Sequence, residues 1–115
     1  MFARIQIGDK TVPMLSVASC NIYYKRVFGA DPLRLQTRND SDAADNLEFA
    51  MGMGFIFAKA AETNGDPSRM LTLCEEDYIA WLDTLGFPEY VGALNQVMAL
   101  YNGGSVTSEK KDTSD

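Results

Sequence analysis

The chain has 115 residues, 46% of them apolar, which suffices for one compact domain and not for two. Net charge is −6 and no histidine is present, which excludes Ser-His-Asp and Cys-His nucleophile pairs, histidine metal sites and the usual neutral-pH general base. The acidity also argues against binding a phosphate backbone, which needs clustered bases. Residues 2–7 alternate, with Ala3, Ile5 and Ile7 on one face, so they read as a strand. Gly8-Asp9-Lys10 supplies a turn and 11–15 the return strand, with Pro13 confining that strand to an edge or ending it early. Ser16 is a plausible N-cap for a helix to Phe28, in which Val17, Cys20, Tyr24 and Val27 share a face and Gly29 ends the run. Asp31-Pro32 opens a short turn over 33–36, and the polar stretch 37–42 reads as a hinge loop.

Asp42 can cap the longest helix, 43–64, which Gly65-Asp66-Pro67 stops. Its apolar arc runs from Ile56 and Phe49 through Met53 and Phe57 to Met51 and spans about 220°, roughly twice the stripe a surface helix needs. Either this helix is the centre of the bundle, or one edge of the arc faces a partner. Gly52 and Gly54 within it read as points of close helix approach. Thr72-x-x-Glu75 is a capping-box pattern opening a helix to Leu85. Pro88 starts the last helix, which Gly103-Gly104 stops. The chain therefore reads as mainly α (α+β): an N-terminal hairpin packed on about four helices, in one domain over 1–104, followed by a disordered polar tail, 105–115. The expected core is Ile5, Ile7, Val17, Tyr24, Phe28, Leu47, Met51, Ala58, Trp81, Leu82, Leu94 and Val97.

No motif carries chemistry. Phosphate-binding loops and nucleophile elbows are absent. Asp40-Ser41-Asp42 begins like a calcium loop but has Asp45 where glycine is needed and Met51 where the closing glutamate belongs. Glu75-Glu76-Asp77 fits the first turn of a helix, where acids offset the dipole, better than a catalytic pair. Tyr23-Tyr24-Lys25-Arg26 is a weak nucleic-acid cue, because on a helix Tyr24 turns inward and the two bases are solvated. Cys20 and Cys74 both fall on apolar helix faces and read as buried thiols, in keeping with a reducing cytoplasm. The expectation is a non-enzyme without catalytic, cofactor or metal residues, and with no nucleic-acid or membrane partner. The longest run without a charge, 49–58, is too short to cross a bilayer, and Phe2 leads straight into the alternating strand rather than an export signal.

Charge is divided along the chain. Residues 1–38 carry six bases against two acids, and 39–115 carry four against fourteen, so the halves stand at +4 and −10. That asymmetry points to head-to-tail contact between copies, a homo-oligomer. Phe49, Met53, Ile56 and Phe57 on the wide arc are candidate partner contacts, with Tyr90 and Tyr101 on the last helix as the alternative surface.

The order of elements resembles a small tail assembly chaperone of long-tailed bacteriophages or prophages. The resemblance rests on the hairpin Ile7-Gly8-Asp9-Lys10-Thr11-Val12-Pro13 and on the aromatic-basic helix ending Phe28-Gly29-Ala30-Asp31-Pro32-Leu33. A hydrophobic middle helix, a short helix with Trp81, a last helix ending Leu100-Tyr101 and a polar tail complete it. It implies a non-enzymatic factor that binds the tail tape-measure protein and keeps it soluble, with the tail tube protein as a further contact. It further implies action in the host bacterial cytoplasm and absence from the mature virion. A tail-completion or connector protein, or a small acidic regulatory binding module, would share the same composition.

Overall fold

The computed structural model describes residues 1–29 and 43–103. The expected turn at 33–36, the hinge loop, the Asp42 cap and the tail lie outside those residues. Among the described residues, two strands, β1 (Phe2–Ile7) and β2 (Lys10–Leu15), precede five helices: α1 (Cys20–Phe28), α2 (Ala43–Thr63), α3 (Pro67–Met70), α4 (Glu75–Leu82) and α5 (Phe87–Tyr101). The fold is α+β, with the expected N-terminal hairpin followed by the helices.

The hairpin forms because its apolar period is two residues. Antiparallel register pairs Ala3 with Met14 and Ile5 with Val12, so these side chains share one face. Ile5, Ile7 and Met14 on that face are buried. The connection is Gly8-Asp9, and Gly8 alone takes a positive φ, +64°, as the first central position of a type II′ turn requires. Pro13 sits opposite Arg4 and does not shorten the strand. At the open end, the Met1 ammonium donates to the Ser16 carbonyl (3.1 Å) and Ser16 N–H donates to the Met1 carbonyl (2.8 Å). Ser16 therefore closes the hairpin rather than capping a helix, and α1 starts three residues later than its spacing suggested, after Ser19.

Helix α2 is the centre of the molecule. It packs against β2, α1, α3, α4 and α5, while β1 rests on α5. Its end is a Schellman motif: Gly65 N–H donates to the Ala60 carbonyl (2.8 Å), and Asn64 takes the left-handed conformation at φ +58°. Asp66-Pro67 does more than stop α2. The Asp66 carboxylate accepts from Ser68 N–H (3.1 Å), and the short helix α3 begins there, a cap-plus-proline start that the sequence reading took only as a break. Helix α4 likewise starts two residues later than expected. Asp77 accepts from Cys74 N–H (3.0 Å), whereas the Thr72 hydroxyl donates to the Arg69 carbonyl (2.7 Å).

Of the expected core, Ile5, Ile7, Tyr24, Ala58, Leu94 and Val97 are buried; the other six are half-buried at its margin. Gly52 and Gly54 are points of close approach. A Cβ on Gly52 would lie 2.9–3.1 Å from the Tyr24 and Phe28 rings, and one on Gly54 would run into the Tyr90 hydroxyl. A continuous chain of aromatic contacts, which no local pattern announces, ties the helices together. It passes from Tyr101 to Phe49, Tyr24, Phe28, Tyr78, Phe55, Trp81 and Tyr90, with ring centroids 4.6–5.7 Å apart at each step. Such pairs contribute about 0.5–1.5 kcal/mol each beyond area burial. They hold α4, which has no fully buried residue of its own.

Candidate functional site

Chemistry-bearing groups are sparse and scattered. Among the described residues no group of three or more Cys, Asp or Glu side chains could hold a metal ion. Cys20 is buried and burial raises its thiol pKa. Cys74 is exposed, contrary to the expectation of a second buried thiol, because it occupies the N-cap of α4 rather than its apolar face. Burial pushes the Tyr24 and Tyr78 hydroxyls up to about 12 and that of Tyr90 higher still, away from proton transfer near neutrality. No helix among the described residues is long and apolar enough to cross a membrane.

The candidate partner contacts on α2 are interior. Phe49 is 4% exposed, and Met53, Ile56 and Phe57 are 0% exposed, because the hairpin, α1 and α5 close over the wide arc from several sides. Of the two readings of that arc, the central helix is the one the packing realises. Tyr90 is buried as well, its hydroxyl donating to the Met51 carbonyl (2.6 Å). Tyr101 is half-buried and donates to Asn21 Oδ1 (2.9 Å). Phe49, Met53 and Ile56 present no surface, whereas Tyr90, although 1% exposed, is among the residues lining a groove at the start of α5, and Phe57 and Tyr101 are among those lining a second one beside Ser16, Val17 and Asn21.

Exposed apolar side chains lie elsewhere, and two of them, Phe87 and Val91, stand in the first turns of α5. Among the described residues from α2 onward, Phe87 (60% exposed), Ile79, Leu71 and Val91 are the large apolar side chains left in water. Phe87 and Val91, four apart on α5, share one helix face. Beside them lies an open groove of about 330 Å³, lined by Met51, Leu82, Asp83, Leu85, Gly86, Phe87 and Tyr90. Three segments build it, which is why no single window of sequence reveals it.

Local geometry fixes the junction. Asp83 N–H donates to the Ile79 carbonyl (3.0 Å) and Leu85 N–H to the Leu82 carbonyl (2.9 Å), so the chain tightens into a turn as α4 ends. Gly86 is the extended N-cap of α5, and its carbonyl accepts from Tyr90 N–H (3.0 Å). The Lys10 ammonium, from the hairpin, donates to the Thr84 carbonyl and braces the turn from behind. The Glu89 side chain folds over Gly8 and Gly86. The groove is thus lined mainly by apolar side chains, with Asp83 among them. Convergent polar groups of the kind that orient a small substrate are not among its lining residues.

No family model, curated protein or solved structure matches the chain.

Proposed function

We propose that the chain is a non-enzymatic assembly chaperone of long-tailed phages or prophages, acting in the host cytoplasm. It binds the tail tape-measure protein, keeps it soluble while the tail is built, and leaves before the virion is complete. One observation carries the binding role: the apolar groove at the α4–α5 junction, with Phe87 and Val91 exposed beside it. A long helical client presents apolar side chains at i, i+3, i+4 and i+7, and these need an apolar groove rather than a deep polar pocket. Met51 in the lining suits varied client side chains, because a thioether adapts its shape. The order of hairpin, central apolar helix, short Trp81 helix and final helix agrees with the resemblance to tail assembly chaperones.

Co-expression with the tape-measure protein of the same genome tests this reading. The unaltered chain should hold the tape measure in the soluble fraction. Phe87→Glu should abolish that rescue while leaving the far-ultraviolet dichroism spectrum unchanged, because Phe87 is largely solvent-exposed. A tape measure that stays insoluble beside the unaltered chain overturns the proposal. Recovery of the chain in purified virions would favour a tail-completion or connector component instead.

A further inference from the structure

The α4–α5 groove lies in a stretch of one-signed charge. From Met70 to Gly103 the chain carries five acids, Glu75, Glu76, Asp77, Asp83 and Glu89, and no Lys or Arg. Asp77 is taken up by the Cys74 N–H. Among the described residues none of the other four is in an ion pair, because the one pair there joins Lys59 to Glu62 (3.4 Å). Lys10 reaches the junction from the hairpin, but its ammonium is engaged with the Thr84 carbonyl. The acids beside the groove are therefore left without a basic partner within the described chain.

Helical spacing aligns two of them with the groove. Glu76, Ile79 and Asp83 stand at i, i+3 and i+7 along α4 and its C-cap, so they share one face. All three are exposed, Ile79 at 55%. Asp83 also lines the groove, together with Leu82, Leu85 and Phe87. Face and groove are thus continuous, and the order along α4 is acid, apolar, acid. Seven helical residues span about 10 Å. A client helix laid along this face matches it with two bases seven residues apart and apolar side chains between them. We propose that the groove selects a basic amphipathic helix, with Glu76 and Asp83 as the residues that set the preference. The proposal rests on the reading of this groove as the client site and adds the chemistry of the segment it takes. The apolar stripe supplies the contact, and the carboxylates favour Lys or Arg beside it and repel acidic helices. Exposed charges carry the preference, so it is salt-sensitive while the apolar contact is not.

Fluorescence anisotropy with three dye-labelled helical peptides and the full chain is the test. All three share one apolar stripe. The first brackets it with Lys seven residues apart, the second has Gln at those positions, and the third carries the two Lys on the opposite face. At 0.01 M salt, where the Debye length is about 30 Å, the first should bind about fivefold more tightly than either of the others. At 1 M, where it is about 3 Å, the three should converge. Glu76→Gln/Asp83→Asn should erase the preference and leave the binding of the Gln peptide unchanged, whereas Glu62→Gln should leave the preference intact. These positions are exposed, and unchanged dichroism spectra would confirm that the variants fold. Equal affinity for the first two peptides overturns the charge selection and leaves the groove standing as an apolar client site. Equal affinity for the first and third, or a preference that survives Glu76→Gln/Asp83→Asn, overturns it as well. Binding of none of the peptides removes the client site itself, and the selection with it.

Discussion

Tyr90 joins two requirements in one side chain. Its ring is 1% exposed and its hydroxyl donates to the Met51 carbonyl, a group inside the central helix (2.6 Å). Tyr90→Phe should lower unfolding free energy by about 1 kcal/mol, because the carbonyl, already bonded within α2, loses its second donor. Gly54 lies under the same hydroxyl. Alanine there gains about 1 kcal/mol of helix propensity but collides with a group that the hydrogen bond holds in place, so Gly54→Ala should be destabilising on balance. The double variant Gly54→Ala/Tyr90→Phe should melt above Gly54→Ala alone, because the obstructing oxygen is gone. A double variant melting below both single variants would contradict this geometry. Buried tyrosines also set an alkaline limit. Burial raises the hydroxyls of Tyr24 and Tyr78 to about 12, with Glu48 adding to both shifts, while unfolded tyrosines ionise near 10. Above pH 10 the unfolded chain has lost protons that the folded chain keeps, so stability falls as pH rises from about 10 toward 12 and is insensitive to these groups below that window. Urea denaturation at pH 9 and pH 11.5 checks it, and equal midpoints would exclude the effect.

Elements were legible wherever their signal is local. The hairpin was readable because a period of two with a Gly-Asp turn fixes both faces, and α5 because Pro88 marks its first turn. The width of the α2 arc showed that this helix needs covering on more than one side, yet width cannot say whether its own chain or a partner does the covering. Here its own chain does, so Met53→Glu should abolish folding rather than spare it. Helix starts shifted where caps compete. Ser16 is claimed by Met1, and Asp77 rather than Glu75 sets the start of α4. The groove was not readable at all, because Met51, Leu82–Leu85 and Phe87–Tyr90 meet only after α2 and the turn after α4 have formed. At the end of α2, Asn64 holds φ +58°, a conformation that costs a residue with an ordinary Cβ about 1–2 kcal/mol. Asn64→Ala should therefore lower stability by about 1 kcal/mol while Asn64→Gly stays near neutral, measured by chemical denaturation. Equal stability of the two variants would argue against the Schellman ending.

At the scale of the whole molecule, apolar burial and charge are separated. The interior is assembled around α2, and the described residues bury no charged side chain. Charge instead divides the surface, with bases on β1, β2 and α1 and acids dominating from α4 onward. Among the described residues the apolar groove lies next to the acidic helix α4. Its single tryptophan, Trp81, touches the Tyr90 ring (centroids 5.4 Å apart) and so reports on the groove directly. The decisive measurement is Trp81 emission during titration with a tryptophan-free helical segment of the tape-measure protein. The account predicts a saturable change in emission for the unaltered chain and its loss in Phe87→Glu. No change with the unaltered chain, or an equal affinity in Phe87→Glu, would contradict it.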